Sequence, residues 1–262
     1  MKKLRISILA TVTTVVLLLS LSLMGCTSTA ISGSGNLITE QHDYTDFTEV
    51  EIDSAFEYTI TKAATFSIAI TADDNIMQHV NVSKVGSRVK ARMGNVSLRN
   101  VHYEATITMP ALSALSINSA SRGSVNGFDS TAALSLTVSG ASRLNMDDMT
   151  AGAVTADVSS ASNVTGTLNA SSLDLNDSGA STVQIEGEAT GADLNVSGAS
   201  KALLIGFQIV NADVTVSGAS KATVNATGTL DINAGSASTV QYMGEATLGT
   251  VNVSGASTVS AL

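Results

Sequence analysis

A four-residue phrase recurs eight times in the second half of the chain, and its spacing constrains the fold more than any other feature. Clearest as Ser139-Gly-Ala-Ser142, it returns around Ala120, Ala141, Ala161, Ala180, Ala199, Ala219, Ala237 and Ala256, at steps of 18 to 21 residues. Self-similarity at such a period is the mark of a solenoid, in which each repeat buries its apolar face only against its neighbours. The flanking residues distinguish strand from helix. Leu144, Val164, Val183 and Val240 stand three residues after the anchoring Ala, and Met146, Ile185, Leu204 and Val224 five after it. Val138, Val158, Val196 and Val216 stand three before it, with polar residues between. That is the period of two of a half-buried strand. Leucine-rich repeats have a similar length but need Leu at several fixed positions, and this chain lacks them. The pattern predicts an all-β fold, a parallel β-helix of about 19–21 residues per coil. Coils stacked about 4.8 Å apart make a rod of roughly 34 Å.

Stacking turns sequence positions into columns. The Ser one past each anchor shares parity with the inward residues, and its hydroxyl is expected to bond the next hydroxyl or a corner carbonyl. The Gly before the anchor belongs at a corner with positive φ, although in Asn118-Ser119 and Ser159-Ser160 a Ser takes that place. These serines do not read as nucleophiles, because no His follows His102 to activate them. A hydrophobic fraction of 44 % with only nine aromatics means a core of small side chains. Six of those aromatics (Tyr44, Phe47, Phe56, Tyr58, Phe66 and Tyr103) lie before Pro110. Residues 36–110 are therefore expected to form an N-terminal β-rich cap with the first coils, and 111–262 the regular β-helix. Asp73-Asp74 is expected to open a short helix with an Asp cap.

The N-terminus carries an address. Lys2, Lys3 and Arg5 precede an apolar run to Met24, which has the layout of a secretory signal. Its six Ser and Thr residues make a permanent transmembrane helix the weaker reading. Leu23-Met-Gly-Cys26 resembles the bacterial lipoprotein signal, in which cleavage before Cys exposes it for acylation. An ordinary cleaved signal with an incidental Cys is the plainer alternative. The resemblance implies a signal peptide at 1–25, lipidation at Cys26 and a linker at 26–35. By the same resemblance, Thr27 after the Cys, in place of Asp, implies delivery to the outer membrane or cell surface. Several acyl chains on one residue anchor firmly where a single chain binds only marginally. Cys26 is also the only Cys, so there is no disulfide framework and no Cys-based metal site.

The opening Gly33-Ser-Gly-Asn36, the Phe47-to-Ile52 segment, the passage from Ile68 to Asp74 and the Ser-Gly-Ala-Ser coils together resemble the head GIN domain. That family is also labelled auto-transporter adhesin and is common in exported bacterial proteins and lipoproteins. The resemblance covers nearly all of residues 31–262. It implies a right-handed β-helix and offers no catalytic residues.

Charge narrows the partners. The net charge of −9 becomes more negative once Lys2, Lys3 and Arg5 leave with the leader, which argues against nucleic acid. His42, His79 and His102 lack ligand-like spacing, so no metal site or other cofactor is expected. Asp147 and Asp148, adjacent on a strand, are expected to point to opposite faces and not to form a glycosidase dyad. Past residue 110 the only basic residues are Arg122, Arg143, Lys201 and Lys221, and each stands two after an anchor. An outward basic row of this kind suits an anionic surface glycan. Asp174, Asp193, Asp213 and Asp231, six before their anchors, form a second column. That ladder either holds a divalent cation or is a solvated edge that discourages sheet-to-sheet pairing. The last coil has no recognisable cap, so a homo-oligomer or partner contact is expected there. The sum is a membrane-anchored binding or structural module of the bacterial envelope, adhesin-like and without catalysis. The alternative is an envelope carbohydrate-active enzyme on a β-helix.

Overall fold

The alternation of apolar and polar residues becomes parallel stacking in three dimensions. The computed structural model describes residues 30–262; the leader and Cys26, with the signal and lipidation expectations, lie outside the described residues. Leu134, Val154, Leu173, Ala192, Ala212 and Leu230 occupy one inward column, tied coil to coil by parallel pairing. Leu144, Val164, Val183, Ala202, Ala222 and Val240 form another. Both columns are buried. The chain is thus a nearly all-β solenoid of about seven turns, as the period of the phrase predicts.

Arg143–Val158, Asn163–Asp177, Thr182–Val196 and Lys201–Val216 each run most of the way round one coil. They bend where the register shifts, for example between Met146 and Met149. That bend corrects one expectation. Asp147 and Asp148 do not face opposite ways; both are exposed, with Asp148 at φ 53°. A bulge adds a residue to one strand and breaks the alternation that a regular strand imposes.

The repeated phrase is the corner between coils. In later copies its Ala N–H donates to the preceding corner, as in Ala199 N to Gly179 O at 2.8 Å and Ala219 N to Gly198 O at 2.8 Å, whereas Ala120 N and Ala141 N donate to the following corner, at Gly140 O and Ser160 O. Gly198 shows why glycine suits this position. Its φ is +75°, and a Cβ there would lie 2.6 Å from the Gly179 carbonyl oxygen. Later corners use one left-handed residue, while Ser119-Ala120, Gly140-Ala141 and Ser160-Ala161 use two in succession. The Ser after each anchor, from Ser121 to Ser238, is buried. Ser121 Oγ donates to Asn118 O at 2.7 Å, and Ser238 Oγ to Ser257 Oγ at 3.2 Å. Corner carbonyls and neighbouring hydroxyls are both used, although Ser142 Oγ and Ser220 Oγ have no partner.

The N-terminal end is built out of sequence order. Glu49–Ile52 and Glu57–Lys62 already form a coil, in parallel register with Ala114–Ile117 and Arg122–Asn126. Ser54 and Ala55 both have positive φ at its corner, and Phe56 takes the place of the buried Ser. The later strands Arg88–Met93 and Tyr103–Met109 lie beneath that coil, again parallel. Antiparallel strands then close the end: Val80–Val85 on Arg88–Met93, and Ser67–Asp73 on Tyr103–Met109 with Leu37–Gln41 outside it. Bulky side chains fill this end, among them Phe47, Phe56, Ile68, Ile70, Ile76 and Ile107.

The helix at Asp74–Met77 is a single turn, and Asp73 makes no side-chain cap to it. The Asp73 carboxylate instead accepts from Gly35 N at 2.7 Å and His102 N at 2.8 Å. Asp74 accepts from Ser34 Oγ at 2.6 Å and Asn36 Nδ2 at 2.9 Å. These bonds hold the Asp74 carboxyl below its ordinary range. The Gly33-to-Asn36 segment and the acidic pair are therefore two halves of one clasp, which pins the chain entry to the cap.

Candidate ligand-binding face

One outward column runs the length of the rod. It begins Glu104, Glu57, Arg122, Arg143 and Asn163, and continues Thr182, Lys201, Lys221, Thr239 and Thr258, every neighbour in parallel register. All four predicted basic residues are in it, and Arg122, Arg143 and Lys201 are exposed. They form two pairs, Arg122 with Arg143 and Lys201 with Lys221, separated by Asn163 and Thr182. Two glutamates precede the first pair, so the row is mixed in charge where the sequence suggests a purely basic one. Glu57 was findable: it stands two after Ala55, where Ser54-Ala55-Phe56 is a worn copy of the phrase. Glu104 has no such phrase before it, and only the tertiary pairing reveals it.

At this end the column borders an open groove of about 560 Å³. Its floor is the next outward column, Thr106, Thr59, Ser124, Asn145 and Thr165, which is made of short polar side chains. Beneath it lies Tyr58, 3 % exposed, whose hydroxyl donates to Arg143 O two coils away at 2.9 Å. Gly123 in the intervening coil makes this possible, since a Cβ there would sit 2.7 Å from Tyr58 Cγ and closer still to its carbonyl oxygen. Burial pushes the Tyr58 phenol far up, so it remains a neutral donor. Arg122 Nε lies 3.6 Å from Glu57 Oε1. Arg143 makes no ion pair among the described residues. His102 Nε2 lies 3.8 Å from Glu104 Oε2.

The aspartate ladder is real as a column. Asp174, Asp193, Asp213 and Asp231 are in direct register. Two of its members have partners at hand: Asn195 Nδ2 donates to Asp193 at 3.1 Å, and Thr250 N donates to Asp231 at 2.5 Å. Among the described residues no group of three or more His, Cys, Asp or Glu side chains is placed to hold a metal ion.

One acid escapes the columnar logic. Asp177 stands in the inward column of Val158 and Val196 and is fully buried. Its Oδ1 accepts from the Ser181 hydroxyl, while Oδ2 has no partner. Burial pushes its carboxyl up to about 6, against the opposing pull of Ser181. The sequence does mark it, three before Ala180, as the one carboxylate in a valine column.

The family described as "Putative auto-transporter adhesin, head GIN domain" matches residues 46–246. Among solved structures, a "putative adhesin" from Parabacteroides merdae superposes with a TM-score of 0.83 at 17 % identity, over 89 % of this chain and 99 % of its own. A "putative adhesin" from Parabacteroides distasonis gives 0.77 at 16 % identity, over 89 % and 100 %. A third, titled "Putative lipid binding protein" and also from Parabacteroides distasonis, gives 0.78 at 15 %, over 89 % and 99 %. At these identities the structural likeness establishes the fold. No curated protein matches the chain.

Proposed function

We propose that this chain, which belongs to the head GIN domain family, is an adhesive module of the bacterial cell surface. In this reading lipidated Cys26 holds it to the membrane, and its charged column meets an anionic surface glycan. Family membership supports the exported, adhesin-like part. One observation carries the glycan contact: Arg122, Arg143, Lys201 and Lys221 project from a single in-register column of the rod. The stacked backbone fixes the spacing of their attachment points without any reordering on binding, which favours recognition of a repeating ligand. No observation favours the enzyme alternative. The serine column is buried, Ser181 and its carboxylate partner Asp177 included, and Asp147 and Asp148 sit exposed on a bulge.

Whole-cell and glycan-array binding by the full chain is the test. Replacing Arg122, Arg143, Lys201 and Lys221 together with Ser is expected to abolish binding while the fold survives; retained binding would refute the column as the contact. Replacing Cys26 with Ser is expected to release the protein from the membrane fraction. A variant that stays membrane-bound would refute the lipid anchor.

A further inference from the structure

We infer that the groove at the capped end of the column takes a polyhydroxylated chain with at most one carboxylate per sugar, an acidic glycan laid along the rod with a carboxylate on Arg143. The inference rests on the proposed glycan-binding column and assigns the contact to one part of it. Arg122 is already engaged by Glu57 at 3.6 Å. Arg143 is exposed and makes no ion pair among the described residues, while its backbone is held by the Tyr58 hydroxyl. A guanidinium with free donors, carried on a held backbone, is the group that binds a carboxylate in a bidentate fork. Thr59, Ser124 and Asn145 line the floor beside it and offer hydroxyl and amide partners to a sugar.

Two features narrow the ligand class. Glu57 and Glu104 share the groove, so a densely sulfated or phosphorylated polymer meets repulsion there, whereas sugar hydroxyls donate to these carboxylates. The coils also recur about every 4.8 Å, whereas same-face residues of an extended peptide recur at roughly 6.6 Å. A peptide lying along the rod falls out of step with the columns within a few coils.

The experiment measures affinity of the full-length chain, expressed with its own leader, for polygalacturonate, dextran sulfate, polyglutamate and neutral dextran. Polygalacturonate is expected to bind most tightly. Arg143→Ser is expected to weaken it about tenfold, the loss of one charge-assisted contact. Filling the groove by Ser124→Trp is expected to block it, with thermal melts reporting on the fold. Lys201→Ser with Lys221→Ser is expected to leave it unchanged. Equal or tighter binding of dextran sulfate or polyglutamate overturns the ligand class, and undiminished binding by Arg143→Ser overturns the site. Loss of binding only in the double lysine variant overturns the groove but leaves the column reading standing. A parent chain that binds none of the acidic polymers overturns both.

Discussion

The two ends of the rod are made from different kinds of sequence. At the N-terminal end the strands Arg88–Met93 and Tyr103–Met109 complete a coil beneath the one that precedes them in sequence, and antiparallel strands cover them. Charges there are matched across coils: Glu49 stands opposite Arg88 and Glu51 opposite Lys90, with contacts of 2.8 Å and 2.5 Å. Ser87 and Arg88 hold the Glu49 carboxyl below its ordinary range. At the other end Thr247–Val253 is exposed throughout. Leu248, Val251 and Val253 continue the inward columns of Leu230, Ile232 and Ala234 without a further coil over them among the described residues. No charged residue stands between Ala246 and Leu262 to discourage edge pairing. A repeat that stacks on a copy of itself carries no instruction to stop, so a closed end needs a sequence that departs from the repeat.

The largest expected effect compares the same corner position in the two regions. Phe56 stands where the repeats place Ser, fully buried and edge-on to Tyr103 with ring centroids 4.8 Å apart. Phe56→Ala is expected to cost about 4 kcal/mol in chemical denaturation. Ser200→Ala, the matching change in a regular coil, is expected to cost about 1 kcal/mol or less. Similar losses at both positions would erase the distinction between a cap packed by bulk and coils packed by repetition.

Asp177 tests whether the regular columns tolerate a charge. Its carboxyl ionises at an ordinary 3.8 in the unfolded chain and at about 6 when folded. Below pH of about 4 both states are protonated, and ionisation contributes nothing. Between about 4 and 6 the unfolded chain ionises first, so stability falls as pH rises. Above about 6 the full penalty remains, on the order of 2 kcal/mol. Asp177→Val is therefore expected to stabilise the protein at pH 7, with an advantage that narrows by that amount at pH 4. Urea titrations at the two pH values would show it, and a gap independent of pH would contradict the upward shift of this carboxyl.

Corner geometry gives a smaller effect. Gly198→Ala forces a Cβ into the left-handed region beside the Gly179 carbonyl oxygen, at an expected cost of about 1–2 kcal/mol. A melt equal to the parent's would show that the corner relaxes. The smallest change in stability is expected at the exposed end. We propose that this edge meets a second copy of the chain, as its uncharged strands invite. Leu248→Lys with Val251→Lys should then alter stability by only about 0.5 kcal/mol and lower the mass seen by light scattering. A parent chain that stays monomeric at high concentration would refute the contact.

Much of the regular region is legible because a β-solenoid is nearly one-dimensional. Once Ala141 and its copies fix the period, parity alone places Leu144 and Ser142 inward and Arg143 outward. The same arithmetic reaches Glu57 through Ala55, provided Phe56 is accepted in place of Ser. It fails at Asp148, where a bulge interrupts the alternation, and at Asp73, whose acceptors serve Gly35 and His102 in place of the helix beside it. Half of the binding face was legible in the same way, as the row of basic residues. The groove itself was not, because it depends on Tyr58 passing over Gly123, two residues 65 positions apart whose proximity no local pattern announces.

Sequence alone was enough to determine the period, the inward and outward faces of each repeat and the small-residue core, since all follow from the alternation of side chains along a strand. Only the tertiary structure decided the order of coils at the capped end, the place of Glu104 in the charged column, and the burial of Asp177 without a full set of partners. The physical reason is range. Alternation and corner geometry act over a few residues and are written into the local sequence. Which coil lies on which, and therefore which charges share a column, is settled by burial summed over the whole cap, which no single segment encodes.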